Sequence, residues 1–211
     1  MTLDKILNMF VVLLVVIDPV GVTPVFGALT RGGGELHRRR MAFKGTALAV
    51  GILLMFAFIG DWLLTTLGIT LPAFKIAGGI LLFLIALDMV FARQSGGRST
   101  TGREQEEARH KEDISVFPLA FPLIAGPGAL TTVLLMVGEG HGDPLYFSIM
   151  ICVLLVILLL TLACLLLAGH LMRFLGETGA NVMDRLFGVI LAALAVQFVI
   201  DGARAIFLPG A

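Results

Sequence analysis

Charge is what this sequence has least of. Asp, Glu, Lys and Arg make up 14% of its 211 residues and hydrophobic residues 58%, whereas a soluble domain carries roughly 25% charged residues. So small a polar complement cannot cover a water-facing globule, and an integral membrane protein follows. Cysteine is scarce too. Cys152 and Cys164 lie in one apolar run, roughly 18 Å apart along a helix, which is beyond the roughly 7 Å a disulfide spans; they read as buried filler. The four histidines, His37, His110, His141 and His170, fall in loops or at span ends, and none has zinc-ligand spacing to another His or Cys. There is no HExxH and no glycine-rich loop ending in Lys-Ser/Thr, which argues against metalloprotease chemistry and ATP-driven transport. The formal net charge of zero leaves no basic nucleic-acid surface. No convergent acid/base set of an enzyme can be assembled. A signal peptide is not expected, because Asp4 and Lys5 open the chain and no small-residue cleavage site ends a short apolar core.

What is present is apolar sequence in span-sized blocks. A bilayer core takes about 20 apolar residues per helix, and six candidates run over 4–29, 41–67, 72–91, 114–137, 145–172 and 183–207. The basic residues set the orientation. Arg31, Arg38, Arg39, Arg40 and Lys44 follow the first span, Arg93, Arg98, Arg103, Arg109 and Lys111 follow the third, and Arg173 and Arg185 follow the fifth. With six spans these twelve fall on one face, leaving Lys5, Lys75 and Arg204 for the other. Both termini are therefore expected on the non-cytoplasmic side. The charged segment 92–113 is too poor in apolar residues to pack a core and reads as a cytoplasmic linker between units 1–91 and 114–211.

Those units resemble each other. "KIAGGILLFL" (Lys75 to Leu84) aligns with "RLFGVILAAL" (Arg185 to Leu194), pairing Gly78 with Gly188 and Leu81 with Leu191; upstream, Gly21 aligns with Gly128. Three spans is an odd number, so the second unit enters from the opposite side. The expected fold is all-α: a polytopic membrane protein of six helices, arranged as two inverted three-helix repeats with broken first and fourth helices.

The breaks carry the chemistry. "DPVGVTP" interrupts the first span, through Asp18, Pro19, Gly21, Thr23 and Pro24. "FPLAFPLIAGPGALTT" interrupts the fourth, through Pro118, Pro122, Gly126, Pro127 and Gly128, followed by Thr131 and Thr132. Proline removes a backbone donor and clashes with the preceding turn. An ionisable side chain at membrane depth is expensive. Irregular backbone cannot face lipid, so both stretches are expected against protein or a water-filled cavity. Paired interruptions in corresponding spans point to a transporter binding site. A half-helix beginning at a break offers free N–H groups and a positive dipole end to a carboxylate. Freed carbonyls with Asp18 suit a cation or an ammonium group, and an amino acid zwitterion supplies both charges.

"IDPVGVTPVF", "FPLAFPLIAGPGALTT" after a charged loop, and six spans resemble the MarC family of bacterial inner-membrane proteins, over essentially the whole chain. The resemblance implies a small-molecule transporter in the inner membrane. Some archaeal relatives are described as ion-driven carriers of glycine and alanine, and the family is grouped with amino acid exporters. It further implies Asp18, Pro19, Gly21, Thr23, Pro24, Gly126, Pro127, Gly128, Thr131 and Thr132 as substrate- or ion-binding residues. No cofactor is expected beyond a coupling H+ or Na+, and no catalytic or metal site. Ala125 stands opposite Asp18 in the repeat, and Pro24 opposite Thr131, so the two breaks are not equivalent.

Each residue also has a plainer reading. Asp18 fits as an N-cap before a proline at the first helical position, and the threonines can bond to their own helix. Lys75 and Arg185 suit snorkelling to the interface, Trp62 an interfacial anchor, and Gln197 helix–helix glue. Asp201 and Arg204 can pair on one helix face. "AGG" in the third span suits close packing. Export of another small metabolite or drug, a non-transporting scaffold and an intramembrane enzyme stand as alternatives to amino acid transport.

Overall fold

The computed structural model describes residues 2–30, 32–91, 113–140 and 142–207; of the expected linker, only Asp113 falls within them. The elements are α1 (Leu3–Ile17), α2 (Pro19–Leu29), α3 (Glu35–Thr66), α4 (Leu71–Phe91), an irregular helical segment Ser115–Ile124, α5 (Pro127–Glu139), α6 (Pro144–Leu166) and α7 (Ala168–Phe207). In apolar surroundings a backbone must satisfy its own hydrogen bonds, and unbroken Leu/Val/Ile runs such as α1 and α6 do so as helix. α1 and α2 together form one span-length unit, Leu3–Leu29. The Ser115–Ile124 segment and α5 are bent by 56° at their junction and supply the sixth span when counted as one.

Two span boundaries differ from the sequence reading. The fifth span ends at Leu166, not near 172, because Leu167 turns out of the helix (φ −91°, ψ 10°). α7 is interrupted at Gly176 (φ 64°, ψ 176°), so its membrane-length part is Thr178–Phe207 and starts earlier than 183. A left-handed φ followed by an extended ψ is open to glycine and closed to most other residues.

Side-chain pairs fix how the halves meet. Lys44 of α3 pairs with Asp113, ahead of the irregular segment. Lys75 Nζ, at the start of α4, lies 2.7 Å from Glu139 Oε1 at the end of α5. The starts of α1, α4 and α6 thus share one end of the bundle with the ends of α3, α5 and α7, and the two three-span units run in opposite senses. α4 and α7 cross antiparallel with backbones in contact. A methyl group on Gly79 would stand 2.6 Å from the Ala195 carbonyl oxygen, and one on Gly188 would stand 2.8 Å from Met89 Cβ. Each unit lends a glycine to the other's helix. Lipid leaves little hydrophobic drive between helices, so close van der Waals approach at small residues holds them, as "AGG" suggested.

Phe26, Leu53, Leu82, Leu119 and Leu154 fill the interior, while Phe58, Trp62, Leu159 and Phe174 remain exposed on the outer faces. Apolar surface on that scale has no place against water and fits a lipid-facing wall. Cys152 is also exposed rather than buried filler, and both cysteines are free.

Candidate functional site at the two helix breaks

Asp18 makes the first break by itself. Its φ of 47° and ψ of 72° are left-handed, a conformation that Asp tolerates better than most residues. Its N–H donates to the Leu14 carbonyl at 2.9 Å, closing α1. Its Oδ1 accepts from the Gly21 N–H at 3.0 Å, opening α2 with Pro19 at the first turn. One fully buried residue therefore caps two helices. A methyl group on Gly21 would collide with Asp18 Oδ2 and would stand 2.7 Å from Asp184 Oδ1. The carboxylates of Asp18 and Asp184, from the two halves, thus converge over one α-carbon, and only glycine leaves them room.

The second break is longer. In "FPLAFPLI" each proline forces the preceding phenylalanine into extended geometry, at Phe117 (φ −127°, ψ 125°) and Phe121 (φ −134°, ψ 128°); both X–Pro bonds are cis. Each interruption is spanned by one wide turn with an i→i−5 bond, Leu119 N–H to Ile114 O at 3.2 Å and Ala125 N–H to Ala120 O at 2.9 Å. Gly126 caps α5, with Pro127 at its first position. A methyl group at 126 would collide with the Pro122 carbonyl oxygen. Ser115, Pro118, Leu119, Ala120 and Pro122 to Ile124 are buried, so this irregular backbone is shielded largely by protein.

The breaks lie side by side. Val16, two residues before Asp18, would stand 3.7 Å from a methyl group on Gly128. Beside the second break is a void of about 10 Å³, lined by Val16, Leu82, Ile85, Leu191 and residues 122–124 and 126–129, room for about one water. Among the described residues, neither this void nor the larger cavities take in all ten candidate residues. Val16 of α1 and Leu191 of α7 line the void from the two halves.

Pro19, Gly21 and Thr23 cluster with Asp18, but Pro24 sits inside an uninterrupted α2. The first break is therefore one residue, not "DPVGVTP". Thr23 Oγ1 donates to the Pro19 carbonyl at 2.8 Å, and Thr30, Thr65, Thr66 and Thr161 make the same back-bond one turn up. Gly126, Pro127 and Gly128 line the small void. Thr131 presses its methyl group on Gly78. Thr132 is the exception among the candidates: it is fully buried, and its hydroxyl has no hydrogen-bond partner among the described residues. Asp201 does not pair with Arg204; its Oδ1 accepts from Gln197 Nε2 at 2.7 Å.

A larger cavity opens where α1 begins. It holds about 320 Å³ and is lined by α1 (Lys5, Asn8, Met9, Val12), α5 (Leu135, Met136, Glu139), α7 (Leu194, Gln197, Phe198, Asp201) and Tyr146. The same three helices wall the small void through Val16, Gly128 and Leu191, so the cavities stack along one wedge. Residues four apart share a helix face, which puts Gly128, Thr132 and Met136 in one row and Thr132 between the two cavities.

The sequence reading missed Asp184, which has no proline beside it and lies in an ordinary helical run. It also missed the cavity, which is assembled from span ends that are distant in sequence.

The profile described as MarC family integral membrane protein matches residues 3–207. The UPF0056 membrane protein MJ1677 of Methanocaldococcus jannaschii is 39% identical over 193 residues, covering 92% of this chain and 93% of the relative. The UPF0056 membrane protein YvbG of Bacillus subtilis is 35% identical, covering 98% of each. The UPF0056 inner membrane protein YhgN of Escherichia coli is 33% identical, covering 96% and 98%. No solved structure matches the chain.

Proposed function

The chain belongs to the MarC family of integral membrane proteins, and from that premise we propose that it is a secondary transporter of small neutral amino acids, working by alternating access in the bacterial inner membrane. The observation that carries the reading is the pair of unlike breaks at corresponding positions of two oppositely running halves. One presents the converging carboxylates Asp18 and Asp184, the complement of an ammonium group or of a coupling H+ or Na+. The other presents the N-terminus of α5 at Gly126–Pro127 and, about one and a half turns on, the hydroxyl of Thr132, the complement of a carboxylate.

Arg38, Arg39, Arg40, Lys44, Arg173 and Arg185 gather at the end where α3 starts. Lipid-adjacent Lys and Arg favour the cytoplasm, so in this reading both termini and the 320 Å³ cavity face the periplasm. The cavity at that end and the Lys44–Asp113 pair toward the other support a carrier whose outer side is the open one. Opening inward would part the halves at that pair.

Purified protein in proteoliposomes should accumulate labelled glycine or alanine when a proton or sodium gradient is imposed, and Asp18→Asn should abolish the flux. Wild-type liposomes that carry no amino acid faster than empty ones would overturn the proposal.

A further inference from the structure

The 320 Å³ cavity has the size of a small-ligand pocket, which starts at about 300 Å³, and its charges are arranged in an unusual way. Lys5 and Asp201 line it from α1 and α7, opposite in sign yet not joined: Lys5 forms no ion pair among the described residues. Asp201 is held by Gln197 through Oδ1 alone, and its Oδ2 has no hydrogen bond among the described residues. Glu139, on the same wall, is engaged by Lys75. Gln197 fixes the Asp201 carboxylate in place, which favours recognition over a mobile surface charge. Tyr146 adds a further polar group, and Val12, Met136 and Leu194 make an apolar floor.

We propose that this cavity is a second, outer binding site for the zwitterionic head of a free α-amino acid: Asp201 takes the ammonium group, Lys5 the carboxylate, and the apolar floor a short side chain. A zwitterion carries both charges a few bonds apart and bridges the two walls that do not reach each other. An amine or a carboxylate alone satisfies one wall only. The floor leads to Thr132, whose buried hydroxyl lies between the cavity and the second break, so the site is the station before the central one. The proposal rests on the transporter reading for its ligand, but its binding step can be measured separately.

The test uses full-length protein carrying Cys152→Ala and Cys164→Ala, with Asn8→Cys as a reporter on the cavity wall, and a membrane-impermeant thiol reagent. Alanine should slow labelling, whereas propionate and ethylamine at the same concentration should not. Lys5→Met or Asp201→Asn should raise the alanine concentration needed for protection by about tenfold or more, the fold-change that one lost hydrogen bond to a charged group carries. The exchange Lys5→Asp with Asp201→Lys should restore part of it. Flux is measured on the same preparations. Flux without protection, or protection that survives both single variants, overturns the outer site and leaves the transporter reading intact. Protection without flux overturns the transporter reading and leaves the site. No protection in folded reporter protein together with no flux in folded wild-type protein overturns both.

Discussion

Asp18 is asked to hold two helices and, in the proposed function, a cation, and substitutions at this one position separate the tasks. Alanine there loses the acceptor for the Gly21 N–H, worth about 1 kcal/mol at an N-cap. It must also adopt φ 47°, which costs a residue with an ordinary Cβ about 1–2 kcal/mol. Asp18→Ala should therefore lower stability by roughly 2–3 kcal/mol, or about 30- to 150-fold in the unfolding equilibrium. Asparagine keeps both the acceptor oxygen and the tolerance of left-handed geometry, so Asp18→Asn should unfold with the wild type. Glycine removes the strain and loses only a few tenths of a kcal/mol as a cap, so Asp18→Gly belongs close behind. Unfolding in mixed micelles followed by far-ultraviolet circular dichroism gives this order. In proteoliposomes the order should change, because Asn and Gly lack the charge and should both be silent. An alanine variant as stable as the asparagine one would refute the double-cap reasoning. An asparagine variant that transports like the wild type would confine Asp18 to architecture.

Thr132→Val removes a buried hydroxyl without a partner, so thermal stability should rise by about 1 kcal/mol while alanine uptake falls; Thr23→Val, which breaks the bond to Pro19 O, should instead cost about 0.5–1.5 kcal/mol. Gly188→Leu must displace the α4 backbone, whose Val90 nitrogen stands 3.1 Å from the new Cβ, and should cost about 1–3 kcal/mol in the same assay. Gly51→Leu, with nothing within 4 Å, should cost nothing measurable. The hydrogen bond from Lys44, then those from Ser115, hold the Asp113 carboxyl below the usual carboxylate range. Its contribution is therefore complete at neutral pH and fades as pH falls below about 4. Because both partners are roughly half exposed, Asp113→Asn should lower the melting temperature at pH 7 by the equivalent of less than about 1 kcal/mol, and by progressively less as pH falls below about 4.

The membrane class, the number of crossings and the opposite senses of the two halves were legible in the sequence, because they depend on local quantities. Each apolar run must close its own hydrogen bonds, a run of about 20 residues matches the bilayer, and an odd number of spans reverses direction whatever the packing. Proline and glycine marked both breaks for the same reason: their backbone limits travel with the residue. The extent of the breaks was less legible. Pro24 removes one donor in a helix that otherwise continues, whereas "FPLAFPLI" resets the backbone twice, and how far either propagates depends on the neighbours that fill the gap.

The sequence by itself determined an all-helical membrane protein with two unlike interruptions. Tertiary structure alone decided what faces them. Asp184 meets Asp18 only because α7 crosses Gly21. Val16 and Leu191 come together at one small void beside the second break, and Lys5 and Asp201 line one cavity from the first helix and the last. Such juxtapositions come from packing one helix surface on another, where steric fit at a few glycines sets the register; no spacing along a single chain contains that information.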